Sequence, residues 1–282
     1  MEHIVEFKCD KLFLHHTVES NPDPNAFQRH CHDYYELIYV VHGAGRYIVE
    51  GTEYTMKSGT LLLLHPHAFH YVEVESDRLY DRYVIHFKDL ALLSEARELL
   101  RSFDGEHMGY GHFYSESRLP GAALRGFAGI DEMDSFDDAD AELLARTLLT
   151  EIIFWLSAAS PERQIDCGEP LGLQVIRYLN SHLTEPNSLD DLARRFFVSK
   201  FYLCRAFREH NGVSVLQYLT EKRIILAKQL LEAGETAVSA AVKAGFGDYS
   251  SFYRAYKKIL GTSPKENKGQ RKETDETNDL NE

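Results

Sequence analysis

The sequence predicts an α+β protein of two domains, an N-terminal β-barrel with flanking helices and a C-terminal all-α domain. Its 282 residues are many for one compact domain and comfortable for two. Residues 28–90 contain short runs in which apolar and polar side chains alternate, as in strands, whereas residues 171–260 have the apolar spacing of helices. The charge divides at the same place, because residues 1–169 carry a net charge of −16 and residues 170–272 a net charge of +8.

The composition narrows the possible classes of protein. No run approaches the roughly 18 apolar residues of a membrane span, and residues 1–10 lack the basic start and apolar core of a secretion signal. The four cysteines are scattered and form no CxxC pair, which favours reduced thiols. We therefore expect a cytoplasmic protein with no membrane association.

Six short runs in the N-terminal half, rich in Tyr, Val, Ile and Leu and separated by glycines, predict the strands of a sandwich or small barrel. They are Glu36–Val41, Arg46–Glu50, Glu53–Met56, Thr60–Leu64, Phe69–Val74 and Arg82–Phe87. Helical spacing follows at Leu90–Phe103 and Asp140–Ser157. The second helix is too apolar to be solvated all round, so we expect one side to pack on the barrel and the other to pair with a second subunit, with fully intramolecular packing as the alternative.

A group of histidines stands out in the same half. His30, His32 and Glu36 share one face of a strand by parity, and His70 lies on a later strand. Three hypotheses remain open: a ligand pocket without metal, a divalent metal site, and ordinary hydrogen-bonded histidines. We adopt the first, with a divalent metal held by these four residues as the alternative. The predicted ligand-binding set is His30, His32, Glu36, Tyr39, Arg46 and His70. His15 and His16 are expected at the surface, and His86 is expected to be structural.

The C-terminal half contains the same supersecondary pattern twice. Ser188 begins a short helix, and Ser199 begins a second one, Lys200–His210, after a tight turn. A long helix of about residues 213–231 follows, and then a turn at Gly245–Gly247 and a final helix that begins at Asp248 or Ser250. A short helix, a tight turn and a capped second helix form the unit that places a helix in the major groove of DNA.

The outward faces of the second helix in each unit supply the candidate DNA contacts. Arg205 and Arg254 are the candidates for base edges, since a guanidinium pairs bidentately with guanine. Lysine and arginine neighbours are the candidates for phosphates. The full set is Ser199, Lys200, Phe201, Cys204, Arg205, Arg208, Tyr249, Ser250, Tyr253, Arg254, Lys257 and Lys258. Phe252, Ala255 and Ile259 are expected to point inward. The alternative is a plain helical bundle with an incidental basic surface.

The C-terminal motifs resemble those of the AraC/XylS family of transcription regulators. The matching stretches are residues 188–193, 199–207, 212–214, 223–227, 245–258 and 261–264. The sequence departs from the family where Lys265–Lys268 replaces the usual aromatic-Arg pair. In the N-terminal half, the spacing HxHxxxExxxxxxG from His30 to Gly43 is similar to the first cupin motif, and Gly59 to His70 resembles the second. The resemblance implies a cupin-like barrel that binds a sugar or related metabolite, often without metal, and a double helix-turn-helix domain.

Four segments are predicted on this basis: a cupin-like sensor and dimerisation domain at 1–160, a linker at 161–170, the DNA-binding domain at 171–268 and a disordered tail at 269–282. We expect a sequence-specific transcription regulator, not an enzyme, whose DNA binding is modulated by a small-molecule effector in the barrel. Its expected partners are double-stranded promoter DNA, the effector, a second copy of the chain and RNA polymerase. The alternatives are a metal-dependent cupin enzyme (dioxygenase or isomerase) fused to a DNA-binding module, and an architectural DNA binder whose barrel only dimerises.

Overall fold

The computed structural model describes residues 2–23, 28–75, 79–103, 112–161 and 170–265. The chain divides into two compact units, Met1–Gly168 and Glu169–Glu282, which are considered separately. Apart from its two end residues, the predicted linker 161–170 lies outside the described residues, as does the predicted tail 269–282. Within the described ranges, no helix is both long enough and apolar enough to cross a membrane.

Antiparallel strands in two sheets make up most of the N-terminal unit. The larger sheet has the order β1-β2-β8-β3-β6-β9 and the smaller one the order β5-β4-β7. The strands are β1 Glu2–Cys9, β2 Leu12–Ser20, β3 Tyr35–His42, β4 Ala44–Val49, β5 Thr52–Lys57, β6 Thr60–Leu64, β7 His70–Val74, β8 Leu79–Phe87 and β9 His112–Tyr114. The six predicted runs correspond to β3 through β8, whereas β1, β2 and β9 were not predicted.

The alternation of side chains along β3 separates two apolar cores. Ile38 and Val40 join an apolar cluster to which both sheets contribute, so the two sheets face each other across it. Leu37 faces the other way, into a cluster that includes residues of the helices α1 (Gly121–Ile130) and α2 (Asp138–Ala158). This cupin-like pair of sheets with helices on one outer face confirms the predicted α+β class.

The segment before these helices differs from the prediction. Residues Leu90–Phe103, predicted as an α-helix, instead form 3₁₀ turns at Asp89–Ala91 and Ser94–Ser102. Neither turn begins at a side-chain cap, which removes one of the contacts that stabilise the first turn of an α-helix.

His16, expected at the surface, is buried in the larger sheet. Its Nδ1 lies 2.7 Å from Asp131 Oδ1 and its Nε2 lies 2.8 Å from Asp81 Oδ1. Its ring stacks on Tyr83 with 3.9 Å between the ring centroids, and the Tyr83 hydroxyl donates to Asp131. The surface prediction was wrong because β2 pairs with β8 inside the sheet, and Asp131, at the end of α1, covers this face.

Six helices make up the described part of the C-terminal unit. They are α3 Leu171–Ser181, α4 Leu189–Arg195, α5 Lys200–Asn211, α6 Val215–Glu232, α7 Ala237–Lys243 and α8 Tyr249–Leu260. Side-chain oxygens of Ser188, Ser199 and Asp248 accept backbone hydrogen bonds at the starts of α4, α5 and α8. The caps Ser188 and Ser199 were predicted from the sequence. For α8 the sequence left Asp248 and Ser250 open, and the structure has Asp248 as the cap. The helices α5 and α8 both end at a left-handed glycine.

The inward face of α8 differs from the prediction at one position. Phe252 is buried as expected, but Ile259 is 39% exposed and Tyr256 is fully buried instead. Tyr256 lies one helical turn after Phe252, with 5.4 Å between the ring centroids, so the pair packs as (i, i+4) neighbours against α6 and α7.

Candidate effector site and DNA-binding surface

Four histidines and one glutamate converge at one end of the facing sheets, and we call them the His–Glu cluster: His30, His32, Glu36, His70 and His86. His30 forms a two-way backbone bridge with His70, the first residue of β7. Glu36 on β3 pairs directly with His86 on β8. The backbone therefore brings together residues that are up to 56 positions apart in the chain.

The imidazoles surround the Glu36 carboxylate. His32 Nε2 and His70 Nε2 each lie 2.9 Å from Glu36 Oε2, and His86 Nε2 lies 3.5 Å from Oε1. His30 contacts the edge of the His70 ring, with 4.3 Å between the ring centroids. The structure thus brings together four of the six predicted ligand-binding residues and adds His86.

Backbone carbonyls fix the orientation of three of these rings. The Nδ1 atoms of His30, His32 and His70 lie 2.8, 3.2 and 2.8 Å from the carbonyl oxygens of Gln28, Tyr34 and Ala68. A carbonyl oxygen can only accept a hydrogen bond, so Nδ1 carries a proton in each ring. The Nε2 atoms of His32 and His70 point at Glu36, and these are the ring nitrogens whose protonation is not determined by a backbone carbonyl.

The cluster concentrates charge in a partly buried place. Burial raises the pKa of Glu36, but contacts with His32, His70 and His86 outweigh it and hold the pKa well below its usual value. For His70, burial lowers the pKa, whereas the Glu36 carboxylate raises it, and the net shift is upward. Burial and the neighbouring His70 lower the pKa of His30. The structure therefore favours an ionised Glu36 carboxylate beside a His70 ring that is more readily protonated than a free imidazole.

The members of the cluster differ in their exposure to solvent. His30 is exposed, His32 and His86 are half-buried, and Glu36 and His70 are buried. The space between the sheets is mostly apolar and contains a small cavity of about 10 Å³, which is room for about one water molecule. Its lining residues are Ile38, Val40, Tyr47, Tyr54, Met56, Thr60, Leu62 and Phe113. Charged groups and imidazoles are thus concentrated in the cluster, whereas the cavity lining offers only hydroxyl groups among apolar side chains.

Two predicted ligand-binding residues lie elsewhere. Arg46 is half exposed on β4 and forms ion pairs with Glu53 and Glu73. Tyr39 lies on the face of β3 opposite to Glu36 and stacks on Phe127 of α1. The structure does not bring these two residues to the histidines, because the strand prediction did not specify which face covers which core, and their ligand-binding role stays a prediction.

The candidate DNA contacts lie on the outward faces of α5 and α8. Of the twelve, Cys204 is half-buried and the rest are exposed, including Phe201 at 79%. The opposite faces are buried through Leu203 and Phe207 on α5 and through Phe252 and Tyr256 on α8. Each of these helices therefore has one solvent-facing polar surface and one apolar surface that fixes its orientation in the unit.

Local ion pairs orient part of this surface. Arg205 Nε donates to Glu209 Oε1 at 2.8 Å, and Lys200 Nζ lies 2.6 Å from Asp190 Oδ1. Both pairs are exposed, and exposed ion pairs contribute little to stability. The guanidinium and ammonium groups can therefore exchange their carboxylate partners for another anion.

Two family models match this chain in consecutive segments. The model described as an AraC-like ligand binding domain matches residues 16–149, and a helix-turn-helix domain model matches residues 192–270. Together they cover about three quarters of the sequence. This chain belongs to the AraC family. The AraC family regulator described here therefore combines a ligand-binding domain with a DNA-binding domain, which confirms the resemblance found in its motifs.

Curated relatives match the regulator over most of its length. The HTH-type transcriptional activator RhaS of Salmonella arizonae is 29% identical over 261 residues, which cover 89% of this chain and 90% of that protein. RhaS of Enterobacter sp. strain 638 is 27% identical over 257 residues with the same coverage. The AraC family regulator is thus similar to transcriptional activators across both domains, as expected for a DNA-binding regulator modulated by an effector.

Solved structures provide more distant similarities. ToxT from Vibrio cholerae O395 is 16% identical, covering 92% of this chain and 97% of that chain with a TM-score of 0.36. The DNA-binding domain of AdpA, solved in complex with a target DNA, is 29% identical, covering 36% of this chain and 93% of that chain with a TM-score of 0.34.

The turn between α4 and α5 distinguishes the two helix-turn-helix units of this AraC family regulator. Phe197 adopts a left-handed φ of 55° and is 95% exposed, whereas Gly245 adopts a φ of 85° between α7 and α8. The two turns have the same backbone hydrogen bond, since Phe197 N donates to Arg194 O and Gly245 N donates to Val242 O. Phe197 thus occupies a position where the second unit has glycine.

Proposed function

We propose that this regulator binds promoter DNA through α5 and α8, and that a small polar effector bound at the His–Glu cluster alters its affinity for that DNA. The observation that carries the proposal is the arrangement of the two helices. Each begins at a side-chain cap, is buried along its apolar side and exposes its basic residues. The net charge of +8 over residues 170–272 supports attraction to a polyanion.

Different roles are assigned to different exposed side chains. Arg205 and Arg254 contact base edges, and hydroxyl-bearing or smaller neighbours such as Ser199, Ser250 and Cys204 contribute adjacent contacts. Lys200, Arg208, Lys257 and Lys258 bind phosphates. The aromatic side chains of Phe201, Tyr249 and Tyr253 pack against sugars or thymine methyl groups.

The effector is a small hydroxyl-bearing molecule, a sugar or related metabolite. The cluster combines acceptor and donor atoms around an ionised carboxylate, which suits hydroxyl groups, and His30 opens it to solvent. The space between the sheets is lined mainly by apolar side chains and offers such a molecule fewer polar partners than the cluster does. Effector binding and DNA binding are coupled only if the effector has different affinities for two states of the regulator.

Assembly and cellular context complete the proposal. The side chains of Leu143 and Phe154 on α2 are 60% and 50% exposed. A homodimer would bury both of these apolar side chains against a second copy of the chain. Like the relatives named as transcriptional activators, the regulator acts as an activator of transcription. We further propose that it has no catalytic activity, and that it acts in the cytoplasm with RNA polymerase as a partner. Light scattering of the full chain and of Leu143→Glu tests the dimer, and an unchanged mass would contradict this interface.

Fluorescence anisotropy with labelled DNA from the region upstream of the gene tests the central claim. We expect specific binding that weakens steeply with salt, and a loss of specificity in Arg205→Ala. Arg101→Ala is the matched control, because Arg101 is an exposed arginine of the N-terminal unit that pairs with Glu98. Binding that is independent of salt and unaffected by Arg205→Ala would refute the proposal.

A further inference from the structure

We propose that Phe197 is a DNA-contacting residue whose ring makes an apolar contact with the duplex beside α5. The inference deepens the proposed function, on which it rests, by adding a residue of the turn to the surface formed by α5 and α8. The chemistry that the ring recognises is an exposed hydrocarbon group of DNA, either a thymine methyl group or the face of a deoxyribose.

The backbone at Phe197 costs the folded unit stability. Its φ of 55° lies in the left-handed region, which is unfavourable for a residue with a Cβ. Packing of the side chain does not offset this cost, because the side chain is 95% exposed. Residues held in such unfavourable conformations are concentrated at functional sites. The strain thus points to a role for the ring outside the folded unit.

The second helix-turn-helix unit shows that the turn itself does not require an exposed ring. Its left-handed position is Gly245. The aromatic residue that follows, Phe246, is half-buried and packs on Phe252 with 5.3 Å between the ring centroids. In the first unit the ring is at the left-handed position, and the half-buried residue that follows is Val198. A turn of this type therefore forms with its aromatic side chain packed inward, and the exposed ring of the first unit is a separate feature.

Phe197 lies beside the candidate DNA contacts of α5. It precedes the cap Ser199 by two residues. Four peptide units separate it from Phe201, the 79% exposed aromatic residue in the first turn of α5, so their Cα atoms are at most about 15 Å apart. A major groove is about 12 Å wide, and a duplex that receives α5 consequently presents a groove edge close to Phe197.

The residues around the ring favour DNA over a protein as the partner. Residues 194–201 contain three basic side chains, Arg194, Arg195 and Lys200, and no acidic one. All three are exposed, and two of them pair with acidic residues of α4 in exposed ion pairs that contribute little to stability. An apolar ring among cations fits a ligand in which hydrocarbon groups lie beside phosphates, as they do in DNA.

Fluorescence anisotropy with the purified full-length protein and the labelled upstream DNA tests the contact. We expect Phe197→Gly and Phe197→Asn to weaken DNA binding about ten-fold, because each removes a ring that DNA covers in the complex. Phe197→Tyr keeps the ring and should bind within about three-fold of the parent. Both variants without a ring should unfold at the same or a higher urea concentration than the parent, so damage to the fold cannot explain weaker binding.

Leu216→Ala is the matched control, since Leu216 is a 51% exposed apolar side chain on α6, outside the candidate DNA surface. Its DNA affinity should stay within about two-fold of the parent. Replacement of single thymines by uracil identifies the contacted group. If the ring contacts a thymine methyl group, its removal at one position weakens binding by the parent but not by Phe197→Gly, whereas a contact with deoxyribose gives no such position.

Equal DNA affinities of the parent and both variants without a ring would overturn the inference, as would a Phe197→Tyr variant as weak as Phe197→Gly. Equal affinities combined with weaker activation in a purified transcription reaction would assign the ring to RNA polymerase instead of DNA. Arg205→Ala separates the two proposals. Its loss of specificity together with parental binding by Phe197→Gly refutes only the Phe197 contact, whereas a parent protein that binds no DNA refutes both.

Discussion

Replacement of Phe197 by glycine should stabilise the first helix-turn-helix unit. A left-handed backbone costs a residue with a Cβ about 1–2 kcal/mol. Because the Phe197 side chain is 95% exposed, its removal sacrifices almost no buried surface. Glycine also has more conformational freedom in the unfolded chain, and losing this freedom on folding costs roughly 0.5–1 kcal/mol of stability. The difference predicts a gain in the free energy of unfolding between about 0 and 1.5 kcal/mol, with a midpoint of about 0.75 kcal/mol.

Hydrogen exchange followed by mass spectrometry provides the local readout for this change. Peptides that cover α4 and α5 should exchange more slowly in Phe197→Gly, whereas the N-terminal unit should be unaffected. Urea unfolding followed by circular dichroism gives the corresponding free energy. Phe197→Asn should gain a similar amount, since asparagine tolerates the left-handed region better than other side chains.

Gly245→Ala is the reciprocal control in the second unit. A Cβ there would lie 2.6 Å from the Thr184 carbonyl oxygen on a backbone with a φ of 85°. We expect a loss of about 2 kcal/mol or more from overpacking and strain together. If Phe197→Gly destabilises the unit instead, the strain argument is refuted. A stabilised variant with weaker DNA binding would show that the ring is retained for contact with DNA.

Four further predictions concern the DNA surface and the N-terminal core. Arg254→Ala should weaken specific DNA binding by about 1–3 kcal/mol, and Lys257→Ala should reduce the salt slope by about one, both measured by anisotropy. Gly126→Ala should destabilise the N-terminal unit by about 1–3 kcal/mol in urea, because its Cβ would lie 2.5 Å from Ile152. Asp131→Asn should cost about 1–3 kcal/mol in the same assay, since it removes a charged acceptor from two partly buried hydrogen bonds.

Each of these has a distinct contrary outcome. An unchanged specificity in Arg254→Ala would show that α8 contacts only the DNA backbone. Gly121→Ala is the matched control for Gly126, because nothing lies within 4 Å of its Cβ position, and equal costs for both would contradict the packing argument. A neutral Asp131→Asn would mean that His16 and Tyr83 find other partners.

Local signals were sufficient for the C-terminal unit. Ser188 and Ser199 were predicted as caps because a cap hydrogen bond joins residues only three positions apart. The apolar spacing then determined which faces are buried, and it failed only in the last turn of α8, where Tyr256 replaces Ile259. Elements governed by short-range contacts are therefore well predicted from sequence.

The N-terminal site depended on long-range pairing, and its prediction was incomplete for that reason. His86 contacts Glu36 because β8 lies next to β3 in the sheet, an order that no local pattern specifies. His16 is buried because its partner Asp131 is 115 positions away. The motif spacing of His30, His32 and Glu36 was informative, whereas the faces occupied by Tyr39 and Arg46 required the sheet pairing itself.

The position of the one tryptophan in the sequence gives the N-terminal unit an intrinsic optical probe. Trp155 is partly buried against the core under α2, and its ring lies 5.3 Å from that of the half-exposed Phe154. Any event that covers or repacks this side of α2 changes the polarity around the indole. Its emission can therefore follow subunit association in unlabelled protein, without a signal from the DNA-binding half of the chain.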